Sequence, residues 1–321
     1  MARTSHGMKR KKPCFSLQKA LHALLLIFLL TSFLSSAKTE ETPQSLSFLL
    51  DSPYLVKEVD PAHITAPFPP VPPCFEGKPD YQYFSSTLAI QIKKQSKNRI
   101  TYFICDIQTT NPYALRAGLS HGKPRSASER TSVIAAREEA ILAINGDNYG
   151  THSYGIIIRS GALIRAAKTT RHMLALDANG ALHVIANRGM EKPEALAKRL
   201  VEAGIRHTWE FGPELIRAGE KTSLKIEFPL ISVKDSILEP RTAIGQISPL
   251  HYVIIVVDGR RAGYSMGVSL SGLQQLMLDA GAQIAFNLDG GGSTTLVFLG
   301  EVINRPSGGK ERAVSDILYF K

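Results

Sequence analysis

Cysteine is scarce in this chain, with three among 321 residues. Cys14 precedes the first apolar stretch, which leaves Cys74 and Cys105, and no CxxC or paired Cys/His spacing suggests a zinc site. Two thiols allow one disulfide in an oxidising compartment, not a disulfide scaffold. Tryptophan occurs once and aromatics make up 7%. The apolar stretch Ala20 to Leu34 is shorter than the ~20 residues of a typical spanning helix, and no second one exists, so a polytopic transporter is excluded. HExxH is absent, which removes motif support for a zincin reading. None of His152, His172, His207 and His251 is paired at a metal-ligand spacing. Hydrophobic residues at 44% exclude wholesale disorder.

Acidic residues are missing from the first 37 positions, whereas Arg3, Lys9, Arg10, Lys11, Lys12 and Lys19 are present. Setting those six aside from the 38 basic residues leaves 32 against 28 acids, so most of the formal charge of +10 belongs to this segment. That argues against a nucleic-acid partner. Lys9 to Lys12, the apolar stretch and Ser35-Ser36-Ala37 have the three-part layout of an export signal. Residues 1–37 are therefore expected to be a signal peptide or an uncleaved anchor, with the remainder outside the cytoplasm, secreted or membrane-anchored. Residues 38–80 hold nine of the 18 prolines and read as a semi-extended linker or strap. The folded unit is expected over residues 81–321.

Within that unit, Arg99 to Ile107 is β-branched and aromatic and predicts a strand. Helical signals fall at Ser128 to Glu139 and Glu194 to Gly204, and the run Ala140 to Asn145 stops at Gly146-Asp147. Hairpins are predicted about Ser160-Gly161 and Asn179-Gly180. His251 to Asp258 is a continuous apolar run, the pattern of a strand buried on both faces. A helix follows, with Ser271 and Gln274 as a capping box, Leu273, Leu276, Met277 and Ala280 on one face, and Gly281 at its end. Gln283 to Asp289 is the next strand. The unit reads as an α/β crossover in mixed sheets, which predicts two parallel strands lying close together.

Both strands end in Asp-Gly, at Asp258-Gly259 and Asp289-Gly290. Parallel strands place those ends on one sheet edge, where ligands bind, and neighbouring strands lie ~4.8 Å apart. Two carboxylates within reach of one substrate suit general acid–base or nucleophilic work; strand-end turns are the bland alternative. Immediate neighbours would give the ~5–5.5 Å spacing of retaining glycosidases, and an intervening strand the wider inverting one. Gly290, Gly291, Gly292 and Ser293 could let backbone N–H groups cradle an anion, although no Lys-Ser/Thr follows as in a nucleotide P-loop. Asn145-Gly146-Asp147-Asn148-Tyr149-Gly150 fails as a calcium loop because Ile156 stands where a bidentate Glu belongs. It is a turn or a third polar corner of the same site. Arg241 is a surface cation or a phosphate contact.

Read together, the motifs occur in a recognisable order: Ile144 to Gly150, Phe211-Gly-Pro-Glu214-Leu-Ile216, Pro240-Arg241-Thr242-Ala-Ile-Gly245, Val257 to Arg260, Asn287-Leu-Asp-Gly-Gly-Gly-Ser-Thr294, Asn304 to Ser307, and Glu311-Arg312. This string resembles the phosphodiester glycosidase family, the family of the uncovering enzyme, over Tyr81 to Lys321. The resemblance implies hydrolysis of a sugar-1-phosphodiester, N-acetylglucosamine-1-phosphodiester included; no cofactor and no metal site are expected from the residues. It implies Asp258, Asp289 and Glu214 as catalytic groups. Asn145, Asp147, Arg241, Thr242, Asn287, Gly290 to Ser293 and Arg312 are implied as the substrate-binding set. Two rivals stand beside it: a metal-dependent phosphodiesterase built on Asp147, Asp258 and Asp289, and a non-catalytic polysaccharide-binding surface protein.

Overall fold

The structure, a computed structural model, describes residues 71–186, 191–224 and 237–321. The expected export signal and most of the proline-rich strap lie outside the described residues. Among those described, strands dominate and three α-helices, Thr131–Arg137, Pro193–Glu202 and Leu270–Asp279, flank them. No described helix is long and apolar enough to cross a membrane.

The largest sheet has eight strands in the order Tyr81–Phe84, Leu88–Lys97, Ile100–Thr109, His251–Val257, Arg241–Ser248, Ile284–Asn287, Glu214–Arg217 and Glu220–Lys221. Alternation along its strands divides the side chains between two cores. Phe103, Cys105, Ile107, Tyr252, Ile254 and Val256 face one, and Tyr102, Ile104, Val253, Ile255 and Val257 the other. The helix Leu270–Asp279 covers the second face through Leu273 and Met277. A five-stranded sheet containing Leu142–Asn145 and Asp316–Phe320, and a three-stranded sheet of Leu182–Ala186, His172–Leu176 and His207–Glu210, cover the first. The other two helices pack outside these smaller sheets. The continuous apolar run of residues 251–257 thus has the buried double face its composition predicts.

Its neighbours differ from expectation. The expected crossover is present, but Arg241–Ser248 inserts between His251–Val257 and Ile284–Asn287 and pairs antiparallel with both. The two outer strands therefore run in the same direction without touching, and every named strand pair among the described residues is antiparallel. The parallel pairing expected of a mixed α/β sheet is corrected, because a strand earlier in the chain occupies the gap. The helix cap is corrected as well: the Gly272 N–H donates to Ser269 Oγ (3.1 Å), two residues before the expected Ser271.

Cys74 and Cys105 are free thiols on opposite faces of the large sheet, Cys105 in the first core and Cys74 against the second. The disulfide that the sequence permitted is not formed. Residues 71–75, the end of the proline-rich strap, lie against the sheet. Gln108 exchanges hydrogen bonds with the Val71 backbone, and Asp106 accepts from the Cys74 N–H (2.9 Å).

Candidate active site

Three chain segments meet where the large and five-stranded sheets end side by side: the loop after Leu142–Asn145, the start of Arg241–Ser248, and the loop after Ile284–Asn287. Asn145 joins them. Its Nδ2 donates to the Asp289 carbonyl (2.6 Å), and its Oδ1 accepts from the Thr242 hydroxyl (2.9 Å) and the Thr295 N–H (3.2 Å). Asn287 has a matching role, donating to the Gly212 carbonyl (2.7 Å) and so holding the 212–213 turn. Asn145, Thr242 and Asn287 are fully buried. The structure makes these three predicted binding residues tethers of the loops that carry the site.

Those loops frame a cleft of about 290 Å³, lined by Asp147, Asn148, Asp289, Ser293, Arg312 and Ser315, with Ser128 and Thr151 at its sides. A volume near the lower end for ligand sites suits one small polar group. Four residues singled out from sequence, Asp147, Asp289, Ser293 and Arg312, are brought together here. Arg312 donates through Nη2 to Asp289 Oδ2 (3.0 Å) and through Nε to Ser293 Oγ (2.8 Å), while its own side chain stays about half exposed. Asp147 forms the floor, its oxygens accepting from the N–H groups of Tyr149 (2.9 Å) and Glu210 (2.8 Å).

Behind that floor lies a buried charge cluster that the sequence reading did not assemble. Arg159 Nη2 contacts Asp316 Oδ2 at 2.5 Å and Asp147 Oδ1 at 3.8 Å. The Trp209 indole N–H donates to the same Asp316 oxygen (3.1 Å). Glu210 Oε1 accepts from the Ile156 N–H (2.7 Å). Burial pushes the Glu210 carboxyl up to about 8, with the charge of Asp147 adding to it. Burial likewise raises Asp147 and Asp316, and Arg159 opposes both shifts. Arg159 and Arg165 supply the opposing positive charge around these three carboxyl groups. Two glycines make room for this cluster. A Cβ on Gly146 would stand 2.3 Å from Asp316 Oδ1, and one on Gly155 (φ +93°) 2.3 Å from Glu210 Oε2.

Local signals for the cluster did exist. Arg159 ends an otherwise apolar Ile-Ile-Ile strand, Asp316 is the single acid in an apolar C-terminal strand, and Glu210 stands four residues before the glutamate chosen from sequence.

The remaining predicted site residues lie elsewhere. Asp258 does not line the cleft. Its carboxylate accepts from the Tyr264 hydroxyl (2.8 Å), Asn304 Nδ2 (2.9 Å) and the Arg305 N–H (3.1 Å), so the expected Asp258–Asp289 pair is replaced by Asp147 and Asp289. The intervening strand separates the two Asp-Gly ends by two strand spacings, roughly 9–10 Å. With Asp258 apart, the three-aspartate metal constellation is not assembled either. Glu214 is gripped by Arg217 through Nε (3.1 Å) and Nη2 (2.7 Å), away from the cleft. Arg241 is buried and donates to the Val268 carbonyl (3.3 Å), not into the cleft. The glycine loop is a tight turn, with the Gly291 N–H bonded to the Pro240 carbonyl (2.8 Å) and the Ser293 N–H to Gly290 (3.2 Å). That turn occupies the Gly291 and Ser293 N–H groups and brings the Ser293 hydroxyl to the cleft.

Known proteins resemble this chain in sequence or in fold. A Bacillus subtilis (strain 168) protein, the SPbeta prophage-derived uncharacterized protein YomE, is 33% identical over 192 residues, which are 58% of this chain and 28% of that protein. The chain thus spans little more than a quarter of that relative's length. The zebrafish N-acetylglucosamine-1-phosphodiester alpha-N-acetylglucosaminidase catalytic domain, auto-inhibited by its pro-peptide, superposes with a TM-score of 0.59 at 21% identity, covering 74% of this chain and 84% of that one. A hypothetical protein from Synechocystis superposes with a TM-score of 0.54 at 15% identity, covering 73% of this chain and 62% of its own. At these identities the two likenesses speak to the fold. The sequence profile of phosphodiester glycosidases matches residues 138–321, which contain every residue of the cleft except Ser128. This chain belongs to the phosphodiester glycosidase family.

Proposed function

We propose that the cleft hydrolyses the glycosyl–phosphate bond of a sugar-1-phosphodiester, releasing the free sugar and a phosphomonoester, and that the enzyme works outside the cytoplasm. The observation that carries this reading is the meeting of Asp147 and Asp289 with Arg312 and Ser293 in one cleft. A phosphate departs as an anion, so it needs less proton donation than an alcohol leaving group. The demands are donors on the phosphate and carboxylates beside an oxocarbenium-like carbon.

Arg312 supplies the donors, with the Ser293 hydroxyl beside it. In the free enzyme Arg312 is bonded to Asp289. A bound phosphate competes for that guanidinium and releases the Asp289 carboxylate toward the anomeric carbon. Asp289 then takes the proton of the attacking water, the water oxygen bonds to the sugar carbon, and the bonding pair leaves with the phosphate. Asp147, fixed by two backbone N–H groups, faces the developing positive charge from the floor. Incubating the full chain with a panel of sugar-1-phosphodiesters in oxygen-labelled water tests the reading, with N-acetylglucosamine-1-phosphodiester first among them. The label is expected in the sugar. Label in the phosphate, or no turnover across the panel, refutes it.

A further inference from the structure

A second, more open groove of about 480 Å³ lies beyond the cleft, lined by Arg130, Arg261, Arg305, Lys310 and Glu311. The two share a wall. The short ladder of Glu129–Arg130 with Ala313–Val314 and the residues flanking it present Ser128, Arg312 and Ala313 to the cleft and Arg130, Lys310 and Glu311 to the groove. Of the groove's lining residues Glu311 alone is acidic, and both its oxygens are engaged by Ser132, through the N–H (2.9 Å) and the hydroxyl (2.5 Å). Four cations therefore face the groove against this one carboxylate, a surplus of three positive charges.

One of the four is held in place. The Arg305 N–H donates to Asp258, and the Arg305 guanidinium lies over the Tyr264 ring at 4.5 Å from its centroid. The Tyr264 hydroxyl donates to the same Asp258 carboxylate. The strand-end aspartate that the cleft does not use is thus the positioning residue of a guanidinium in the groove.

We propose that this groove binds the negatively charged chain of an acidic glycan, the polymer that carries the linkage cut in the neighbouring cleft. That the chain is the substrate's own rests on the function proposed above; that the groove holds a chain of negative charges does not. Single contacts to exposed, hydrated cations are weak, so four cations spread over separate loops favour a ligand with repeated charges over one small anion.

The test titrates the full chain with a size-defined oligogalacturonate, with neutral dextran of equal length, and with single-stranded DNA. None carries a sugar-1-phosphodiester, so binding is read independently of turnover. The wild type is expected to bind oligogalacturonate with an affinity that falls as salt rises, and dextran not at all. The double variant Arg261→Gln/Lys310→Gln should bind about five- to tenfold more weakly, with thermal unfolding unchanged because both side chains reach solvent. Asp258→Asn should weaken binding in the wild type and add nothing to Arg305→Gln, which a purely structural role would not produce. Equal affinity in wild type and double variant, or tighter binding of DNA than of oligogalacturonate, overturns the proposal. Oligogalacturonate binding without cleavage of any sugar-1-phosphodiester would defeat the proposed function and leave the groove standing.

Discussion

Asn145 and Asp289 lie 144 residues apart in sequence and are joined by a 2.6 Å hydrogen bond from the Asn145 amide to the Asp289 carbonyl. With Thr242 and Thr295 bonded to the other end of the same side chain, one buried amide fixes the relative position of three segments. Asn145→Ala removes all of these bonds and leaves the Thr242 hydroxyl and the Thr295 N–H without their partner. Each such orphan costs about 1–3 kcal/mol. Urea unfolding should show a loss of that order, and turnover should fall with it as Asp289 drifts. Unchanged stability would remove Asn145 from its tethering role.

Arg312 offers a test with little risk to folding, since about half of its side chain is exposed. Arg312→Lys keeps the charge and discards the fork that engages Asp289 and Ser293 together. Loss of one charge-assisted contact, about 1.5–3 kcal/mol, corresponds to roughly a ten- to hundredfold fall in kcat/KM. Asp289→Asn should abolish turnover more completely while leaving thermal unfolding unchanged. A Lys variant with wild-type kcat/KM would show that the fork has no part in binding phosphate.

Much of the fold was legible locally. The hairpins about Gly161 and Gly180 and the three helices follow from turn residues and apolar periods, which depend on neighbours in sequence. Strand partners do not. A continuous apolar run such as residues 251–257 reports two buried faces, but a parallel and an antiparallel neighbour bury them equally well. Nothing local announces that Arg241–Ser248 sits between the strands ending at Asp258 and Asp289. The site divided in the same way. Asp147, Asp289 and Ser293 stand in glycine-rich or acidic turns that mark them, whereas Arg312 came only from the family resemblance. Arg159 and Asp316 escaped because each is a lone charge in an apolar strand and Glu210 because it ends a short mixed one, and their partnership exists only after three sheets meet.

Gly146 makes that meeting sterically possible. Its missing Cβ would stand 2.3 Å from Asp316 Oδ1, while Arg159 and Trp209 hold the other oxygen of that carboxylate. Gly146→Ala should therefore cost about 1–3 kcal/mol, the usual price of overpacking a filled interior. Gly308, whose nearest neighbour would lie 3.9 Å away, serves as the control. Gly308→Ala should unfold like the wild type. Equal stability of the two alanine variants would mean that the Asp316 carboxyl can move aside freely.

The buried Glu210 predicts a pH dependence. Its folded pKa of about 8 lies well above the ordinary glutamic acid value, and burial is the main cause. Below the unfolded value both states hold the proton and the group contributes nothing. As pH rises toward 8 the unfolded chain releases that proton readily, whereas the folded one retains it or ionises at a cost. Glu210 thus lowers stability progressively between about pH 4.5 and 8, with the full penalty in place above 8. Glu210→Gln removes the titration and keeps an acceptor for the Ile156 N–H. Urea unfolding from pH 5 to 9 should show the wild type declining relative to the Gln variant by a few kcal/mol, and parallel curves would mean that Glu210 is ionised throughout.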